Sequence, residues 1–306
     1  MKKKTCCVLL LVLLICLAGC GTKESAVTSQ TNAEAPAADE PTTAGQDTSK
    51  VADASQMTTV EDVVQEGMTP VYPDELEDGV YEAAVDCSSS MFRIERCELT
   101  VAGGKMTAKL TMSSTAYGYL FAGTAAEAAA ADKSAYIEPA EENGVNTFIV
   151  PVPALDAGVS CAAWSVNKEL WYDRTLVFRS DSLPLSAFKN VTTAASLGLA
   201  DGLYTVEVTL AGGSGRASVQ SPTKLWIENG AATAEIVWSS ANYDYMKVDG
   251  VKIDAAVVDG HSACVISVAT FDRPLAVIAD TTAMSQPHEI EYTLKFDSAT
   301  ITAVEP

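Results

Sequence analysis

Apolar and polar residues alternate strictly along Tyr204-Thr205-Val206-Glu207-Val208-Thr209-Leu210, and again from Glu289 to Phe296. That two-residue period is the mark of a strand with one buried face. Glu228-Asn229-Gly230 and Ala102-Gly103-Gly104 sit between apolar runs and read as hairpin turns, because Asn and Gly tolerate positive φ. Gly212-Gly213-Ser214-Gly215 follows a strand without a helical pattern after it, and reads as another hairpin loop. Many short strands punctuated by turns roughly every 8 to 12 residues point to β-sandwiches. Thr124 to Ala135 departs from this pattern: it is alanine-rich and opens on Thr124-Ala125-Ala126-Glu127, a capping box that predicts a short helix. A second, shorter helical patch is expected over Val60 to Gln65.

The pattern occurs twice. Asp78-Gly79-Val80-Tyr81 returns as Asp201-Gly202-Leu203-Tyr204, and Leu99 to Gly123 aligns without gaps on Leu225 to Asp249. Shared positions in that block include Ser113/Ser239, Ser114/Ser240, Tyr117/Tyr243 and Tyr119/Tyr245. A third block matches Val152 and Asp156 with Val268 and Asp272, and a fourth matches 175–178 with 293–296. Four blocks in one order imply an internal repeat. Two related sandwiches are expected over 78–181 and 199–300, joined by 182–198, the first carrying the helix as an insertion.

Composition changes the picture ahead of the repeat. Lys2, Lys3 and Lys4 precede a short apolar run from Val8 to Leu17, which reads as a secretion signal. The run ends in Leu17-Ala18-Gly19-Cys20, which resembles the lipobox of bacterial lipoproteins. That resemblance implies a signal peptide over 1–19, lipidation of Cys20 and attachment to the extracellular face of the cytoplasmic membrane through acyl chains. From Cys20 to Glu77 the chain is rich in Ala, Thr, Ser and acids, and is expected to be a disordered tether. Of the formal net charge of −20, the stretch 21–77 contributes −10. Such acidity argues against nucleic acid as a partner and against adhesion to anionic lipid through a basic face.

The second unit carries a further resemblance. Pro222 to Gly230 leads to a strand, then to Ser239-Ser240-Ala241-Asn242-Tyr243-Asp244-Tyr245-Met246, and the unit closes on Met284-Ser285-Gln286-Pro287-His288-Glu289-Ile290-Glu291-Tyr292. This order resembles the near-iron-transporter (NEAT) domain of Gram-positive surface proteins, an immunoglobulin-like β-sandwich that often binds haem. The resemblance covers most of 199–300 and, more faintly, 78–181. It implies an all-β fold with two such sandwiches. It also implies a haem pocket formed by Tyr243, Tyr245, Met246, His288 and Tyr292, with Tyr292 as the iron ligand. The captured haem, or another iron-containing ligand, would pass to an ABC-type importer. The family's second tyrosine, four residues after the ligand, is Phe296 here.

The residues themselves leave alternatives open. Tyr292 suits a phenolate ligand to ferric iron, and equally a core tyrosine with a satisfied hydroxyl. His288 reads as a ligand or as a rim residue, and Tyr243, Tyr245 and Met246 as a ligand platform or as a plug at the sandwich end. Trp164, Trp171 and Tyr172 read as core aromatics or as a stacking surface, and His261 as a solvated turn residue. Cys87 and Cys97 are expected either to bridge or to remain buried thiols; their spacing with Cys161 and Cys264 matches no zinc motif. Two histidines, no Gly-x-Ser-x-Gly elbow and no Gly-x-x-x-x-Gly-Lys loop leave no support for an enzyme. The competing reading is an immunoglobulin-like interaction module for a glycan or protein, without iron chemistry.

Overall fold

Strands begin at the first repeated block. Their order is β1 (Gly79–Glu82), β2 (Val85–Cys87), β3 (Ile94–Ala102), β4 (Lys105–Met112), β5 (Tyr117–Phe121), β6 (Ala140–Glu142), β7 (Val145–Val152), β8 (Val159–Ser165) and β9 (Leu170–Phe178). The second half supplies β10 (Gly202–Val206), β11 (Val208–Gly212), β12 (Thr223–Glu228), β13 (Ala231–Val237), β14 (Tyr243–Val248) and β15 (Val251–Asp254). It continues with β16 (Ala256–Val258), β17 (His261–Ser267), β18 (Leu275–Thr281), β19 (His288–Phe296) and β20 (Thr302–Ala303). The computed structural model describes residues 48–57, 61–65, 68–283 and 288–305. The expected leader, Cys20, Val60 and the stretch Met284 to Pro287 lie outside the described residues.

All of the named pairings are antiparallel, in four sheets. The first half orders its strands β1-β3-β4-β7-β6 and β2-β9-β8-β5; the second orders them β20-β10-β12-β13-β17-β16 and β11-β19-β18-β14-β15. Apart from the added β15 and β20, the two orders are the same strand for strand. Register agrees too: Cys161 faces Arg174 across β8 and β9, as Val277 faces Tyr292 across β18 and β19. The result is an all-β architecture consistent with β-sandwich packing.

Several repeated residues earn their repetition structurally. Asp78 accepts from the Gly103 amide and Asp201 from the Asn229 amide, each pinning the hairpin turn beside it. The Tyr81 and Tyr204 hydroxyls each donate to the carbonyl four residues back. Asp156 and Asp272 both adopt positive φ, and each accepts from the amide and hydroxyl of a serine, Ser180 and Ser298. These polar links fix corners that the apolar alternation leaves undefined.

Alternation then builds two cores. Leu99, Ala108, Leu110 and Val150 of one sheet meet Cys161, Leu176 and Phe178 of the other. In the second half Leu225, Ala234, Ile236 and Ile266 meet Met246, Val277, Leu294 and Phe296. The helix expected from the capping box is present as α1 (Ala125–Ala130), with Thr124 and Glu127 capping reciprocally. It covers the outer face of β8 and β9, where Ala125 and Ala128 bury Trp171.

Three expectations are corrected. The stretch assigned to a disordered tether is ordered from residue 48 wherever it is described: Ala52, Val71 and Leu76 are buried, and Val51, Val71 and Leu76 bridge to Trp171, Leu155 and Phe188. Sparse apolar residues, diluted in a polar composition, suffice because each finds a ready-made sheet surface. Residues 61–65 form no helix; the Glu61 amide donates to the Ser88 carbonyl instead. The Gly212–Gly215 loop is no hairpin, since it passes from β11 in one sheet to β12 in the other. The cysteines are all free thiols among the described residues.

The halves touch through polar anchors. Arg179 pairs with Asp86 and Asp181 and donates to Thr293 Oγ1 at 3.0 Å, while Arg273 lies over the Phe188 ring, 4.0 Å from its centroid.

Candidate functional site

The tyrosines singled out by sequence lie where β14 begins. That start is clamped by Ser262, which is fully buried: its hydroxyl donates to the Tyr243 carbonyl and accepts from the Tyr243 amide, and its own amide donates to the Ser240 carbonyl. In the first half Asn146 performs the same task, donating from Nδ2 to the Tyr117 carbonyl. A β-bulge follows in both halves, between Tyr243 and Tyr245 and between Tyr117 and Tyr119. A bulge inserts one residue and resets the alternation. Tyr243 therefore turns into the core and Tyr245 turns out, although residues two apart on a regular strand share a face.

Inside, Tyr243 stacks on Trp238 with ring centroids 4.0 Å apart, and Trp238 lies 5.3 Å from Tyr292. The Tyr243 and Tyr292 hydroxyls are 3.2 Å apart. Tyr292 is 4 % exposed and Trp238 1 %, and the indole Nε1 of Trp238 has no hydrogen-bond partner. Burial, with the Tyr243 hydroxyl adding to it, pushes the Tyr292 phenol well above the ordinary tyrosine range. Met246 is buried in the same core cluster. The ring of Tyr292 rests on Gly213, where a Cβ would come within 2.6 Å of it.

Outside, the Tyr245 hydroxyl donates to Glu289 at 2.6 Å, Lys247 pairs with the same carboxylate, and Lys252 lies 4.1 Å from the centre of the Tyr245 ring. The bond to Glu289 pushes the Tyr245 phenol up to about 12, while Lys247, then Tyr245, hold Glu289 below its ordinary value. Asp280 stands between Tyr245 and Glu289 in register. It is 3 % exposed with Oδ2 unpartnered, and burial, then neighbouring Asp244, raise its pKa. His288 shares the parity of Tyr292 but opens β19 at the exposed rim, opposite Thr281. His261 is exposed at the start of β17, with Nδ1 3.0 Å from the Trp238 carbonyl.

The five candidate residues thus divide. Tyr243 and Tyr292 come together in the core that also holds Met246, Tyr245 belongs to an ion-paired outer face, and His288 stands apart at the edge. Two neighbours were missed from sequence. Trp238 was legible as the next step of the Ala234, Ile236 alternation. Gly213 carried no signal, because its role depends on a ring 79 positions away.

A cleft of 790 Å³ opens between β2 and strands β18 and β19, bounded by Asp86, Arg179, Lys247, Ile278, Glu291 and Thr293. Phe92 and Tyr292 also line it. The stacked rings of Trp238 and Tyr243 lie outside its lining. Among the described residues no group of three or more His, Cys, Asp or Glu is placed to hold a metal ion, and no helix is long and apolar enough to cross a membrane. In comparisons with known proteins, no protein-family model and no curated protein matches the chain.

Proposed function

We propose that this is a lipid-anchored surface protein that captures haem or another iron-containing ligand, using the tyrosine end of its second half. The two halves are read as immunoglobulin-like sandwiches of the NEAT kind, held at the outer face of the cytoplasmic membrane by Cys20. The captured ligand would pass to an ABC-type importer. The observation that carries the reading is the hydroxyl contact between Tyr243 and Tyr292. In the resembling family the ligand tyrosine is followed by a second one four residues on. Here that position is Phe296, and Tyr243 offers a second phenol from a different strand. A phenolate is a hard donor suited to ferric iron, and the Trp238–Tyr243 stack sets flat aromatic rings beside it. The donor set fits the group. Tyr292 would hold the iron, Tyr243 would pack beside it, and the bound group would supply a ferric centre for capture. The enclosed ring of Tyr292 requires the lip at Gly213 to move for a porphyrin to enter.

One observation favours the second reading, an interaction module without iron. Tyr292 is almost wholly buried and its phenol is held protonated, as in a core tyrosine. Titration of the mature chain with hemin, followed by absorbance, separates the two. A Soret band that is shifted or lost in Tyr292→Phe and weakened in Tyr243→Phe is the expected outcome. No band, or one indifferent to Tyr292→Phe, would overturn the haem assignment.

A further inference from the structure

The repeat makes a sharp comparison available at one position. Tyr292 of β19 faces Val277, and its counterpart on β9, facing Cys161, is Arg174. Arg174 therefore points between the sheets of the first half, on the same face as Leu176 and Phe178. It is 6 % exposed. Its guanidinium lies over the Tyr172 ring at 5.1 Å, and Nη1 donates to the Asp173 carbonyl at 2.7 Å. Nε is buried with no hydrogen-bond partner.

Nothing negative answers this charge. No ion pair to Arg174 forms among the described residues. The Asp173 carboxylate is engaged on the other face, accepting from the Ala125 amide at 2.6 Å. The thiols nearby are neutral: burial pushes Cys161 up to about 12, and burial raises Cys87 despite the help of Arg174. A guanidinium cannot shed its proton to escape burial, and an uncompensated buried charge is among the most costly features a fold can hold. Carboxylates and phosphates are the groups that answer a guanidinium best, through charge-assisted and often bidentate hydrogen bonds.

We propose that the first half binds a compact oxyanion, a carboxylate or phosphate group, at Arg174, in the place where the second half presents Tyr292. The partly exposed Tyr172 and Cys87 flank the guanidinium. The turn at Ser88, whose hydroxyl accepts from the Thr175 amide at 2.8 Å, runs alongside β9 next to it. The two halves then share a scaffold while taking ligands of different chemistry, and this holds whatever the second half binds.

The test is thermal unfolding of the mature chain in chloride, inorganic phosphate or acetate at matched ionic strength, with phosphorus NMR of the phosphate arm. Phosphate, acetate or both should raise Tm by about a few degrees in a concentration-dependent way, as expected of a ligand that binds only the folded state; which of them does so tells the two classes apart. Arg174→Met should abolish that rise and should unfold at a higher temperature than the parent in chloride, having lost an unanswered buried charge. If Arg174→Met does not fold, Arg174→Gln, which keeps donors but not charge, takes its place: loss of the anion effect supports the site and its retention refutes it. No Tm rise and no phosphorus line broadening in the parent, or a rise that survives the substitution, would overturn the proposal.

Discussion

Gly213 gives the most discriminating test of the tyrosine site. It has φ of +59° and would place a Cβ 2.6 Å from Tyr292 Cε1 and 3.0 Å from Cζ. Gly215, two residues on, has φ of +72° and nothing within 4 Å of an added Cβ. Alanine at either position incurs the left-handed cost of an L residue, about 1–2 kcal/mol. Only Gly213→Ala adds an overlap with a ring that is packed in the core and hydrogen-bonded to Tyr243, and overpacking of this kind costs about 1–3 kcal/mol more. In a chain of this size each kcal/mol lowers Tm by roughly 2–4 °C. Gly213→Ala should therefore melt roughly 2–12 °C below Gly215→Ala in thermal unfolding followed by circular dichroism. Combining Gly213→Ala with Tyr292→Ala should recover most of the excess as a coupling energy, since the clash has lost one partner. Equal losses in the two single variants, or a double variant that is simply additive, would refute the placement of Tyr292 against this loop.

Three other outcomes follow from the geometry. Asp280 has its pKa raised in the folded state, so its contribution to stability is present in acid and is lost as pH climbs through that raised value. Asp280→Asn should accordingly stabilise the protein at neutral pH, with the advantage vanishing in the ordinary carboxylate range; a pH-independent difference in Tm would contradict this. Arg179→Ala leaves Asp181, whose side chain is 7 % exposed, without its cation. A loss of about 3 kcal/mol is expected in denaturant unfolding, and an unchanged midpoint would show that the anchor between the halves is idle. Thr124→Ala removes the cap of α1 and should cost about 1 kcal/mol, with Trp171 fluorescence reporting the loosened helix; unaltered emission and stability would count against the helix as the cover of that sheet.

Much of the fold was legible because its causes are local. Alternation marks a strand wherever one face is buried, and Thr124 with Glu127 announced α1 through a cap closed within three residues. The repeat went further: it implied that Leu99–Gly123 and Leu225–Asp249 would adopt one arrangement, and both halves show the same strand order and the same bulge. The ordered segment before β1 was less visible, since Ala52, Val71 and Leu76 are apolar islands whose burial depends on sheets formed later in the chain.

The candidate site was legible only in its residue types. Sequence by itself determined an all-β chain of alternating strands, an acidic composition, and a repeat with tyrosines at matched positions, because period, charge and repetition are properties of short stretches read one at a time. Only the tertiary structure decided that Tyr243 meets Tyr292 while Tyr245 does not, and that Arg174, the counterpart of Tyr292 in the repeat, is buried with its Nε unpartnered. The physical reason is that a bulge inverts the facing of every residue beyond it, and that contact between side chains 49 positions apart is set by strand register, a quantity that exists only once the sheets have paired.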